Sequence, residues 1–365
     1  MKMKLSALSM AIAAAGLAAT VAQAADVALF PYVVKSPTVT TLVSVVDLGD
    51  NNTVRYDSGG NPSATGNRLH WRLHYKAGAN ATNNTAVCQT DGGPYLPTSP
   101  NDIQTVDLGG VFGNNTKGVL FNDDSTNNNW NVATVDFRLG HAVGEQVLRG
   151  VLFVHNADNF SSPKQTLYGE AMIIDFSTGA AWGYQALLND NAGPNTGSGS
   201  NNAANFNFAL QATNDPNTAP NIVTFMPLSG TTTRIFVTPV NTVGGSMLGA
   251  NGANISGWNN LNAQVRLQTP NGNHVAFDRD ENPVPGVNAQ QVVCVGAVDV
   301  TQLMSLGAAP ALANGGWGEL KIDNGSTSGA TPTDRAVAIK LEFNNTGMLN
   351  GKPIPGTFNN GFIMR

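Results

Sequence analysis

The sequence predicts an all-β protein, a large antiparallel β-sandwich-like body with long polar loops and one or a few short helices. Three observations predict it. Segment after segment alternates apolar and polar side chains, the two-residue period of a strand with one face on a core. Charged residues are 12% of the chain, about half the globular norm, and Gly contributes 40 of 365 residues, so the composition of long helices is missing. Apolar residues, at 41%, suffice for a core and exclude a charged disordered chain, while two cysteines are too few for a disulfide-dense miniprotein.

The chain opens with a leader. Lys2 and Lys4 precede an apolar, alanine-rich run over 5–21, and Ala22-Gln23-Ala24 is a small-x-small cleavage site. Residues 1–24 therefore read as a cleavable signal peptide and 25–365 as a single secreted all-β domain. No later run approaches 18 apolar residues, so no transmembrane helix is expected. The destination is the cell surface or exterior of a bacterium, with the periplasm as the other exported compartment. Removing the leader subtracts two lysines from 19 basic residues and leaves 17 against 24 acidic ones. The basic residues are scattered, which argues against nucleic acid as a partner.

The segment 27–34 is short, apolar and broken by Pro31. Val27, Leu29, Phe30, Tyr32, Val33 and Val34 form either an edge strand of the chain's own fold or a segment that adds to a neighbouring subunit's open sheet. The next strand is expected over 39–48. In 69–76, Leu69, Trp71, Leu73 and Tyr75 share one face; His70, Arg72, His74 and Lys76 share the other, expected to be a solvated basic face. His70 and His74 lie about 13 Å apart on a strand, too far to share one metal ion. Cys88 and Cys294 pair most simply as one disulfide in an oxidising compartment. Closing a loop of about 200 residues, it would contribute about 4–5 kcal/mol in the chain-entropy model.

Further strands are expected over 134–139, 147–155, 169–176, 182–187, 222–226, 233–240, 264–268, 292–300, 317–322 and 335–343, all rich in Val, Ile, Phe and Thr. Lys340 and Glu342 would occupy a solvated face of the last. Two hairpins are expected, one turning at Ser177-Thr178-Gly179 and one at Pro270-Asn271-Gly272-Asn273, where Asn-Gly supplies positive φ angles. Asp299 and Gln302 have capping-box spacing and Gly307 sits at a stop position, which predicts one short helix over 300–306. The polar stretch 189–221 is a long surface loop or a link between two lobes. A Cys88–Cys294 bridge across it favours one integrated body.

Candidate chemistry is sparse. Asp278, Asp280 and Asn282 place oxygen ligands at alternate positions, as a calcium loop begins, although Pro283 stands where the tight-turn glycine of such a loop belongs. The two readings are an irregular Ca²⁺ site, the one cofactor the sequence suggests, and a polar turn after the preceding strand. Trp130, Trp182, Trp258 and Trp317 sit beside Gly or Asn and are candidates for stacking on sugars; otherwise they cap the core. Gly244-Gly245-Ser246-Met247-Leu248 lacks the final glycine and the strand–turn–helix context of a nucleophile elbow. No pair of carboxylates is brought together by spacing, and no catalytic set is expected.

These readings converge on an exported structural or interaction protein that self-associates, or joins other surface components, into a matrix, lattice or filament. The second expectation is a carbohydrate-binding module or carbohydrate-active enzyme with a tryptophan-lined groove and polysaccharide as partner. An outer-membrane barrel fits less well, because aromatic residues are only 7% of the chain and strand candidates are too unevenly spaced.

Overall fold

The computed structural model describes residues 27–48, 67–91, 95–98, 101–111, 119–121, 147–156, 167–177, 180–188, 221–241, 259–270, 272, 274–323, 334–344, 348–349, 352–353 and 356–358. Its first half contributes β1 (Val27–Lys35), β2 (Val39–Asp47), β3 (Asn67–Ala77), β4 (Gln89–Asp91), β5 (Tyr95–Thr98), β6 (Asp102–Asp107), β7 (Val119–Phe121), β8 (Leu148–Asn156), β9 (Leu167–Asp175), β10 (Ala180–Gln185) and β11 (Leu187–Leu188). Its second half contributes β12 (Ile222–Phe225), β13 (Thr231–Asn241), β14 (Asn262–Gln268), β15 (Ala276–Asp278), β16 (Pro283–Val284), β17 (Ala289–Val293), β18 (Gly296–Asp299), β19 (Gly316–Asp323), β20 (Asp334–Asn344), β21 (Met348–Leu349), β22 (Lys352–Pro353) and β23 (Gly356–Phe358). All pairings are antiparallel, as predicted. Helix among the described residues is limited to short 3₁₀ turns.

Four larger sheets stack. The outer N-terminal sheet runs β10-β9-β2-β6-β7 and the inner N-terminal sheet β11-β1-β8-β3-β4, with β5 also on β3. The inner C-terminal sheet runs β18-β13-β20-β23 and the outer one β16-β15-β19-β14-β17, with β12 also on β19. Three buried clusters fill the three gaps. Phe30, Val43, Val45, Leu69, Trp71, Val106 and Leu152 pack between the N-terminal sheets. Val265, Leu267, Leu320, Ile322, Ile235 and Val237 pack between the C-terminal sheets. The third cluster joins the halves: Leu29, Tyr32, Val151 and Phe153 meet Phe236, Val337, Ile339 and Leu341, with Trp182 entering from the edge strand β10.

This stacking overturns the expectation of solvated second faces. Arg72, His74 and Lys76 are buried, because the inner N-terminal sheet is covered on both sides. The His74 Nδ1 and Lys76 Nζ atoms find partners within the protein. His74 Nδ1 bonds Asn259 Oδ1 at 2.8 Å, and Lys76 Nζ donates to the carbonyls of Asn83 and Asn84 at 2.9 and 3.1 Å. Lys340 and Glu342 are likewise buried. Lys340 Nζ donates to Thr224 O at 2.9 Å, and Glu342 Oε1 accepts from Met226 N at 2.8 Å and Thr233 Oγ1 at 3.1 Å. One basic and one acidic side chain of β20 thus satisfy backbone groups in and just after the short strand β12.

Three local expectations also change. The Thr269–His274 turn closes by a 2.8 Å backbone bond, and Gly272 has the positive φ (77°) its position requires. Yet β14 and β15 do not pair with each other; both pair with β19, so the turn interrupts one line of pairing instead of joining a hairpin. The helix is a single 3₁₀ turn, Val300–Leu303, with the Asp299/Gln302 capping box in place, and it ends before Gly307. The strand expected over 292–300 breaks at Cys294, whose φ of 60° is the left-handed conformation side chains disfavour. The expected hairpin of β9 and β10 forms in register, with Trp182 opposite Ile173.

Candidate interaction surfaces

The segment 27–34 is β1. It has β8 on one edge and, over Ala28 and Leu29, β11 on the other. Leu29, Phe30, Tyr32 and Val33 are buried, and Val34 is half-buried. The register shifts between Phe30 and Val33, so Phe30 and Val33 enter the N-terminal core while Leu29 and Tyr32 enter the central cluster. A bulge leaves backbone groups without ladder partners. Here the Tyr184 hydroxyl accepts from Tyr32 N at 3.3 Å and donates to Tyr32 O, while Thr238 Oγ1 donates to Pro31 O from the other half of the chain. Pro31 itself has no N–H to satisfy.

The predicted disulfide is present, Cys88–Cys294, spanning 206 residues. It anchors a clasp. Asn84 Nδ2 donates to Ala297 O at 2.7 Å, Asn84 Oδ1 accepts from Ala297 N at 3.0 Å, and Val293 N donates to Asn84 O at 2.8 Å. Thr90 and Asn259 share hydrogen bonds of 2.8 and 3.0 Å beside His74. Burial, reinforced by Arg149, pushes the Lys76 ammonium down to about 7. This cluster locks segments 78–91 and 259–261 onto β17 and β18. The sequence contained no signal for the Asn84 contacts.

Asp278 organises a turn. Its Oδ1 accepts from Asp280 N at 2.9 Å and Asn282 N at 2.8 Å, and Asn282 Nδ2 reaches Oδ2 at 3.0 Å. The Asn282 bonds, first among the causes, hold the Asp278 carboxyl below its usual range. Glu281 takes a positive φ of 66° at the turn's apex. The Asp280 carboxylate instead lies 3.4 Å from Arg279 Nε. Of the three predicted calcium ligands, Asp278 and Asn282 are thus engaged with each other and the Asp280 carboxylate with Arg279, in the geometry of the polar turn. No group of three or more His, Cys, Asp or Glu side chains among the described residues is arranged to hold a metal.

The tryptophans divide. Trp182 is 8% exposed and stacks on Phe236 with ring centroids 5.3 Å apart, so it belongs to the central cluster and cannot present a face to a sugar. Trp317 is half-buried on the outer C-terminal sheet, stacked with Phe277 at 5.0 Å. Trp130 and Trp258 lie outside the described residues.

The surface most at odds with a solvated protein is the outward face of the outer N-terminal sheet. Cross-strand partners share a face, so the register reads it directly. Ile103, Val46 and Tyr168 form one row, and Leu42 and Met172 another; Thr40 and Ile174 follow, then Phe176 beyond β9. Ile103, Met172 and Phe176 are 45%, 40% and 47% exposed, and Leu48 at the end of β2 is 44% exposed. Glu170 is the one exposed charge among these rows, beside Ser44 and Gln185. Asp107 is buried, accepting from Thr40 Oγ1, Gly109 N and Val111 N. Rows about 7 Å apart on strands about 5 Å apart give a patch on the order of 400 Å². The sequence carried a trace of it: Val43 and Val45 alternate with Leu42, Val46 and Leu48, so β2 is apolar on both faces.

Searches for related proteins found no family model, no curated protein and no solved structure that matches this chain significantly.

Proposed function

We propose that this chain is an exported structural protein of the cell surface, and that it self-associates through the outward face of its outer N-terminal sheet. The observation that carries this reading is that open apolar face, with one exposed carboxylate among its rows. A patch of this size is comparable with the largest that a typical monomer exposes, and such patches are often functional. A second copy is the occupant the charge pattern favours, since two such faces meet across a two-fold axis with almost no like-charge repulsion. The leader, the single long-range disulfide and the low charge support export and a static role. The absence of a membrane-length apolar helix among the described residues is compatible with it.

The test is sedimentation velocity with electron microscopy of the purified chain and of the Ile103→Lys/Met172→Lys variant. Both positions are exposed, so the fold should survive, which circular dichroism checks. The wild type should form dimers or extended assemblies at micromolar concentration, and the variant should remain monomeric. A monomeric wild type, or a variant that assembles equally well, overturns the reading.

A further inference from the structure

We infer that the outward face of the outer C-terminal sheet is a binding platform for an uncharged polysaccharide, centred on Trp317 and Phe277. The inference stands apart from self-association, because it concerns the opposite end of the sheet stack. It starts from β19. Leu320 and Ile322 enter the C-terminal core, so Trp317, Glu319 and Lys321 face outward. Gly316 and Gly318 flank the indole, and a Cβ at Gly316 would come within 2.3 Å of Phe277 O. Glycine there lets β15 approach β19 closely, and the register sets Phe277 directly opposite Trp317. The two rings stack at 28° to one another, and neither is buried like Trp71 or Trp182. Across the other edge of β19, Thr224 opposes Trp317 and Ile222 opposes Glu319, both exposed.

Polar groups continue from this aromatic floor. Gln268 is opposite Glu319, Arg266 is opposite Lys321, and Gln264 lies between Asp323 and the exposed Gln291. Glu319 and Lys321 form an ion pair with side chains only 5% and 15% exposed, and Arg266 Nε donates to Gln268 Oε1 at 3.1 Å. These side chains are held before any ligand arrives, which lowers the ordering cost of binding.

The chemistry matches one class of ligand. A sugar ring has an apolar face of C–H groups and a rim of hydroxyls. The first fits a stacked indole and phenyl. The second fits the Gln268 and Gln264 amides, the Arg266 guanidinium and the exposed Thr224 hydroxyl placed around it. Glu319 is neutralised by Lys321, and the glutamines and Thr224 are uncharged, which leaves the Arg266 guanidinium as the one remaining charge among these groups, too little to select a strongly charged polymer.

Affinity electrophoresis of the full chain tests this in gels containing hydroxyethylcellulose, xylan, glucomannan or amylopectin, with polygalacturonate as the acidic control. At least one neutral polymer should retard the wild type. Trp317→Ala should weaken that retardation at least tenfold and Gln268→Ala several-fold, with unchanged circular dichroism. Should Trp317→Ala fail to fold, Thr224→Arg decides instead: it projects a long charged side chain over the indole from an exposed position and should abolish retardation. The inference is overturned if no neutral polymer retards the wild type, if only polygalacturonate does, or if the folded variants bind as the wild type does.

Discussion

The imidazole of His74 is fully buried, bonded to Asn259 and set edge-on to Phe153 at 5.6 Å. Burial pushes its pKa down to about 4; the Asn259 bond opposes the shift and the Arg72 charge adds to it. The unfolded chain protonates this group near 6.5, so the unfolded state binds the extra proton between about 6.5 and 4. Stability is therefore fully present above pH 6.5 and lost as pH falls through that window, by on the order of 3 kcal/mol. Lys76 acts in the same sense higher up. Its folded value of about 7 lies below its usual one, so stability rises from pH 7 toward 10.5. Urea unfolding at pH 4.5 and 7 should show the acid loss in the wild type and a clearly smaller one in His74→Gln. An equal loss in both would show that another group controls the acid transition. The alternation of 69–76 told that these basic residues share a face. It carried no information that another sheet and a disulfide-anchored loop cover that face.

At the scale of the element, β1 is the most constrained strand. Its apolar residues serve two cores only because the bulge at Pro31-Tyr32 exchanges the faces. The bulge survives burial because one Tyr184 hydroxyl satisfies both the N–H and the C=O of Tyr32. Burial raises the Tyr184 phenol's pKa well above its usual value, so the hydroxyl stays protonated and able to donate at any physiological pH. Tyr184→Phe leaves both backbone groups of the buried Tyr32 without this partner and should destabilise the protein by about 2–4 kcal/mol. Equilibrium denaturation measures this, and a loss below about 0.5 kcal/mol would mean that water replaces the hydroxyl. The sequence showed a Pro-broken apolar segment and left open whether it served its own chain or a neighbour. The two readings need the same apolar residues, and only the pairing with β8 and β11 places the segment within this chain's own sheet.

For the whole molecule, the central cluster decides cooperativity. Two sandwiches joined by a tether would unfold separately. Here the facing sheets bury Leu29, Tyr32, Phe153, Phe236, Ile339 and Leu341 between them, and Cys88–Cys294 and Asn84 cross the same boundary. Each large apolar side chain buried there contributes about 1.5–3 kcal/mol, so separating the halves exposes a cost comparable with total stability. Scanning calorimetry should show one transition with matching calorimetric and van't Hoff enthalpies. Phe236→Ala, which opens the stack against Trp182, should lower its midpoint by several degrees. Two resolved transitions in the wild type would mean that the halves are energetically independent.

What the sequence determined by itself was local. The two-residue period, the Val, Ile and Thr content and the turn residues are properties of a few consecutive side chains, so the all-β class, most strand positions, the capping box at Asp299 and the Cys88–Cys294 pairing were legible in it. The number of layers was not, because alternation reports that two faces differ and not what lies beyond the polar one. Stacking four sheets put Arg72, His74, Lys76, Lys340 and Glu342 inside, sent Trp182 into the core and left Trp317 half-buried with Phe277 on an outer face. It also left the outer N-terminal sheet apolar toward solvent. Those outcomes depend on which sheet covers which, a matter of long-range packing between residues more than 200 positions apart.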